Sequence, residues 1–249
     1  MTRFMVKSCN LLIINDITKY FNIYYAYFQI FISFVMYYGK NDKKRLLVEI
    51  YYEFDDDYQN VYENFGNYFS QILKSKKVWQ YTKIEKTNDH KYTSGSQQRI
   101  TREELSKISK SKNPLKFFRT NVAIPYIGLM KTELFFFPER LVIKRGKKFE
   151  AIMYHNLDCY CNITQFLESS GKGPRDSKIV SYSWRYQNLD GGPDKRFSDN
   201  YQIPRYEYSE YTFDSSSGLN EVISTSKVGC FDNFMNILKS IGNLHNRYR

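Results

Sequence analysis

From Lys131 to Asn243 the chain reads as seven short β-runs followed by one amphipathic helix, and this order constrains the fold more than any other feature. The runs are LFFF (134–137), RLVIKR (140–145), KFEAIMY (148–154), CYCNITQFL (159–167), KIVSYSWRYQ (178–187), RYEYSEYTF (205–213) and LNEVISTS (219–226). Turn-forming residues part them: Pro138–Glu139, Gly146, the tract Ser169–Asp176, the loop Asp190–Pro204, and Ser215–Gly218. Seven short runs joined this way predict antiparallel strands. The last segment sets Val228, Phe231, Phe234, Met235, Leu238 and Ile241 on one stripe, so a helix over 228–243 must bury that face, with Gly242 suited to its end. The fold class expected is α+β: a small closed or nearly closed antiparallel β-barrel over 119–244, capped by the C-terminal helix.

The residues ahead of the barrel predict a β-α-β unit over 46–87. LLVEIYYEF (46–54) alternates, with Leu46, Val48, Ile50, Tyr52 and Phe54 on one face. Asp55, Asp56 and Asp57 then open a helix whose positive end favours acidic side chains. Its apolar stripe runs through Tyr58, Val61, Tyr62, Phe65, Phe69, Ile72 and Leu73, and Lys74, Lys76 and Lys77 close it. VWQYTKIE (78–85) returns as a strand. Residues 88–118 form a polar, basic connector. Thr101 and Glu104 match a capping box and predict a short helix over 102–111. Arg119–Ile124 enters the barrel region as an extra strand.

Residues 20–39 carry no charge and are long enough to span a bilayer. Their tyrosines, together with Asn22, Gln29 and Ser33, make a poor hydrocarbon segment. Two readings stay open: a membrane anchor with Lys40, Lys43, Lys44 and Arg45 on the cytoplasmic side, or an over-extended gene start with translation beginning at Met36. Both leave the remainder in the cytoplasm.

The net charge is +11, and much of the excess lies in 82–119, which hold ten Lys or Arg against four acids. The candidate basic patch is Arg99, Arg102, Lys107, Lys110, Lys112, Lys116 and Arg119, with Phe117 and Phe118 placed to stack bases. Such a segment suits nucleic acid or an anionic membrane surface as well as a solvated linker. Cys9, Cys159, Cys161 and Cys230 show no disulfide framework; Cys159 and Cys161 alternate onto one face and read as core thiols. His155 has no second ligand pair, and no metal or cofactor is implied.

The segment LFFFPERLVIKRGKKFEAIMYHNL resembles the opening strands of bacterial pleckstrin-homology-like and GRAM-like domains. Trp184-Arg185-Tyr186, Gly191-Gly192-Pro193-Asp194, Arg196-Phe197, Asn200, Pro204 and Ser217-Gly218-Leu219-Asn220 resemble the motifs of a bacterial family without an assigned activity, over about Leu46 to Lys227. The resemblance implies a pleckstrin-homology-like barrel and says almost nothing about chemistry. Tyr201 departs from it, standing where a basic residue is expected.

Enzyme signatures fail. There is no phosphate-binding Gly-x4-Gly-Lys-Ser/Thr, no His-Glu-x-x-His, and no Gly-x-Ser-x-Gly. The polar loop 188–204 remains as a candidate binding rim, formed by Arg185, Asp194, Arg196 and Asn200. A structural pairing of Asp194 with Arg196 or Arg185 is the competing reading. In KIVSYSWRYQ, Val180, Tyr182, Trp184 and Tyr186 share one face and read as core. The function expected is a non-catalytic binding or scaffold module for a protein partner or for self-association. Nucleic-acid binding through the basic connector is the first alternative. A hydrolase using Asp194 with Arg185 and Arg196 is the second.

Overall fold

The computed structural model describes residues 3–6, 48–54, 56–86, 98–116, 118–168 and 172–247. In chain order the elements are β1 (Arg3–Val6), β2 (Val48–Glu53), α1 (Asp56–Ser70), β3 (Val78–Lys86), β4 (Gln98–Glu104), β5 (Lys107–Ser109), β6 (Phe118–Thr120), β7 (Tyr126–Gly128) and β8 (Glu133–Phe136). They continue with β9 (Arg140–Arg145), β10 (Lys148–Met153), β11 (Asp158–Leu167), β12 (Lys178–Trp184), β13 (Gln202–Asp214), β14 (Asn220–Thr225) and α2 (Asp232–Arg247). The chain divides into two compact units, the first being Met1–Phe69, Lys107–Leu157 and Asn236–Arg249, the second Ser70–Ser106 and Asp158–Met235.

The first unit holds a three-stranded sheet in the order β1-β2-β6, with β2 and β6 parallel, and a five-stranded antiparallel sheet in the order β10-β9-β8-β7-β5. The alternation read in 46–54 puts Val48, Ile50 and Tyr52 inward, where they join Phe118, Ile124, Tyr126, Phe135, Phe137, Val142 and Ala151 in one apolar cluster. Helix α1 lays its stripe on the same unit. Phe65 and Phe69 are fully buried, Phe69 meets Phe136 at 5.8 Å between ring centroids, and the Tyr62 hydroxyl donates to the Ala123 carbonyl at 2.6 Å. The second half of α2 packs here too, through Ile237, Leu238 and Ile241.

Beside that core, Glu133 on β8 accepts hydrogen bonds from Lys112 (3.0 Å), Tyr126 (2.8 Å) and Lys144. Partial burial alone raises the Glu133 pKa, but the bonds from Lys144, Lys112 and Tyr126 and the Lys144 charge outweigh it and hold the carboxyl at about 2. A folded-state pKa below the unfolded one contributes stability that is present above about pH 4.3 and is lost as the pH falls through about 2. Glu133→Gln is therefore expected to lower the unfolding free energy by about 1–2 kcal/mol at neutral pH, a figure reduced for partial exposure. The gap between the two proteins, read by urea titration at successive pH values, closes between about pH 4 and pH 2. A gap that does not change with pH would contradict this assignment.

The second unit is one six-stranded antiparallel sheet in the order β11-β13-β14-β3-β4, with β12 also on β13. The long strand β13 organises it. Along one edge β11 pairs from Asp158↔Asp214 to Leu167↔Arg205 with no register shift. Along the other, β12 takes the first half, from Trp184↔Gln202 to Lys178↔Glu207, and β14 takes Ser209 to Asp214. One face buries Tyr211, Phe213 and Ile223 with Phe231 and Phe234. The Tyr211 hydroxyl accepts from the Phe231 N–H (3.0 Å) and donates to Asp232 (2.8 Å), so the start of α2 is tied to the sheet it covers.

Several expectations are corrected. The fold is α+β and mostly antiparallel with a C-terminal helix, but the strands do not close into a barrel, and the seven runs do not share one sheet. β8, β9 and β10 lie in the first unit's sheet, and β11 to β14 in the second. Residues 46–87 are not a β-α-β unit, because β2 pairs with β1 and β6 while β3 pairs with β4 and β14. Residues 102–111 are not helical: β4 pairs along β3, and β5 along β7. The pairing offered by a neighbouring strand outweighs a local capping pattern. The last helix runs from Asp232 to Arg247, so Gly242 lies in its interior and not at its end. Cys159 is buried, yet Cys161 is exposed. Cys9, Asp55, residues 20–39, Met36, all of 88–97 and Phe117 lie outside the described residues. Among the described residues no helix is long and apolar enough to cross a membrane.

Candidate functional site

The 188–204 loop begins where β12 stops. Arg185 N–H still reaches the Tyr201 carbonyl (3.0 Å), and the Asn200 side chain then bridges the two arms. It accepts from Tyr186 N–H (3.0 Å) and donates to the Tyr186 carbonyl (2.8 Å) and the Asp194 carbonyl (3.3 Å). Asp194 is buried. It accepts from the Arg196 backbone N–H (3.1 Å), from Nε (2.9 Å) and from Nη2 (2.7 Å), a forked grip that fixes the loop's second turn. Phe197 stacks on Tyr186 at 4.0 Å between centroids. At the tip, Gly191 adopts a φ of 86°, which suits glycine, and Asn188 N–H closes on the Gly192 carbonyl at 2.9 Å. The tip carries Leu189 with 98% of its surface exposed.

Of the four residues proposed for the binding rim, the structure joins Asp194, Arg196 and Asn200 by hydrogen bonds. The Arg185 guanidinium pairs with Asp199 (2.7 Å) and lies 5.0 Å from the Tyr186 ring and 5.5 Å from the Tyr201 ring. The Asp194 carboxylate is committed to Arg196 within the loop. Tyr201 offers Arg185 a ring where a cation would repel it. The Gly-Gly-Pro-Asp-x-Arg-Phe stretch builds a hydrogen-bonded loop in which Arg196 holds the Asp194 carboxylate.

Beside this loop, β12 inverts the expected burial. Its alternation is broken by a register shift between Ile179 and Ser181. Opposite Tyr206, Pro204 and Gln202 it sets Ile179, Tyr182 and Trp184 on one face. Tyr182 is 59% exposed, Ile179 is exposed and Trp184 is half-buried, while the small polar Ser183 is 6% exposed and bonded to Gln187 (3.1 Å). The reading of Val180, Tyr182, Trp184 and Tyr186 as a core face is overturned. Among the described residues β12 is paired only to β13, and Ile179 and Tyr182 remain exposed although Tyr206 and Pro204 opposite them are buried.

The basic patch is divided. Arg102 on β4 is caged: its guanidinium lies 4.1 Å from the Phe166 ring, 4.6 Å from Trp79 and 5.4 Å from Tyr208, and its Nη2 bonds Glu168 at 2.8 Å. Tyr208 donates to the same Glu168 oxygen (2.9 Å), and burial together with that carboxylate holds the Tyr208 phenol well above its usual range. Lys112 is engaged by Glu133 and stands 3.6 Å from the Tyr126 ring, and Arg119 pairs with Glu49 at 3.6 Å. Arg99, Lys107, Lys110 and Lys116 are exposed. Phe118 is buried at the core, so it has no free face for a base. The Arg102 cage escaped sequence reasoning because its partners come from β3, β11 and β13; the only local sign was the alternation of Ile100 and Arg102 in what reads as a polar linker.

No known protein family, curated protein or solved structure matches the chain.

Proposed function

We propose that the chain is a cytoplasmic, non-catalytic protein-binding module whose contact surface is centred on the outer face of β12. The observation that carries this reading is the inverted strand: Ile179 and Tyr182 are exposed while Ser183 is buried. Leaving an aromatic and a branched aliphatic side chain in water gains nothing for a monomer, whereas exposed aromatics are the usual anchors of an interface. The neighbouring loop presents Leu189, 98% exposed, which extends the same apolar character. A curled antiparallel sheet followed by an amphipathic helix is what supports kinship with pleckstrin-homology-like binding modules. That kinship implies no particular ligand.

The test is comparative co-purification from the native host at low salt, wild type against Tyr182→Ser. The expected result is a protein retained by wild type and bound at least about tenfold more weakly by the variant, with stability unchanged within about 0.5 kcal/mol. Retention of no protein, or equal retention by both, would reject the reading. Nucleic-acid binding is the poorer reading, since Arg102, Lys112 and Arg119 are engaged within the fold and Phe118 is core. It would be reinstated by DNA or heparin retention that falls steeply with salt.

A further inference from the structure

We propose that β11 is an acceptor strand: its outer edge takes an extended segment of a partner protein, neutral along its middle and carrying Lys or Arg where it meets Asp158. This rests on the reading of the chain as a protein-binding module and names a second contact with a defined chemistry. Among the described residues the sheet of the second unit has three margins to which no further strand is paired, and they are not alike. β4, at one end of the strand order, carries Arg99, Arg102, Glu103 and Glu104, and the β3–β4 ladder shifts register between Tyr81 and Lys83. β12 carries Lys178 and its own register shift. Charges and bulges of this kind are how edge strands refuse further pairing. β11, at the other end of the order, has neither. It runs ten residues, pairs with β13 without interruption, contains no proline, and has no charge between Cys159 and Leu167. Its side chains are mostly exposed, with Tyr160 at 51% on one face and Ile163 at 64% on the other, so an added strand finds apolar contacts above and below the ladder.

The charge at one end of β11 says what the occupant brings. Asp158 stands directly opposite Asp214, and no cation pairs with either among the described residues. Like charges facing each other across a ladder are destabilising, and a cation on an incoming strand would turn that repulsion into attraction. A second copy of this chain is the poorer occupant. Its own β11, DCYCNITQFL, carries no Lys or Arg and so brings no cation to Asp158.

The probes are two synthetic peptides as long as β11, alternating Thr and Val, one with Lys at both ends and one with Glu at both ends. The readouts are fluorescence anisotropy and hydrogen exchange of the full chain. The Lys-ended peptide is expected to bind at least about tenfold tighter than the Glu-ended one and to slow exchange of β11 amides. Asp158→Lys is expected to invert that preference, and Ile163→Lys to weaken both peptides. Binding that leaves β11 exchange untouched, no binding of either peptide, or a preference unmoved by Asp158→Lys would overturn the proposal. So would a concentration-dependent dimer that Ile163→Lys dissolves, which would make a second copy the occupant. Tyr182→Ser lies on the opposite side of β13 and is expected to leave peptide binding intact, so loss of the β12 partner and loss of the β11 contact are separately visible.

Discussion

Arg102→Ala is expected to lower the unfolding free energy by about 3–5 kcal/mol, and Glu168→Ala by a comparable amount. The two side chains are 15% and 18% exposed and bond at 2.8 Å. Removing either strands the other charge among Trp79, Phe166 and Tyr208, away from the water that would stabilise it. Arg102→Lys restores the charge but not the flat guanidinium that fits between rings while one nitrogen meets the carboxylate, and it is expected to recover less than half of the loss. Replacing both residues with methionine and leucine is expected to cost much less than the sum of the two alanine variants, because no unpaired charge is left behind. Urea denaturation of the four variants, with the slopes compared, decides the matter. Single-variant losses under about 1 kcal/mol would mean that the cage is dispensable.

That cage also marks where the sequence stops being legible. The strand runs from Arg140 to Thr225 could be read because each alternates or is bounded by turn residues over its own length, and their observed spans agree to within a few residues. What one strand's pattern omits is its neighbour. LFFFPERLVIKR and CYCNITQFL look like consecutive parts of one meander, yet they belong to different sheets in different compact units. The motif loop was legible in composition and misleading in meaning. Gly191, Gly192, Pro193, Asp194, Arg196 and Asn200 are together because a long connection needs a tight turn and a buried carboxylate to anchor it. Tyr182 was misjudged for a related reason: alternation says that two faces differ but not which one is covered, and on a strand paired along one side the answer comes from the sheet. Arg102 carried the least local signal, being one cation among many in a basic stretch.

Gly242→Val is expected to lower stability by about 3 kcal/mol or more, and Gly242→Ala by about 1–3 kcal/mol, although alanine is the better helix former by about 1 kcal/mol. The position is helical, so backbone freedom is not the reason for glycine. A Cβ there would stand 2.9 Å from the carbonyl carbon and oxygen of Tyr154 and 3.0 Å from the His155 nitrogen. These are main-chain atoms of the turn after β10, and the Tyr154 hydroxyl is itself fixed by a 2.6 Å bond to the Phe137 carbonyl, so the turn is held from its other side as well. Space can be made only by lifting the helix, which would draw Leu238 and Ile241, both nearly fully buried, out of the core. Gly66 supplies the opposite sign. It lies within α1, with nothing within 4 Å of where its Cβ would be. Gly66→Ala is therefore expected to raise stability by about 0.5–1 kcal/mol through helix propensity alone. Thermal or urea unfolding of the two alanine variants side by side tests the packing directly. If both glycines respond with the same sign, the close approach of α2 to Tyr154 is not what holds glycine at position 242.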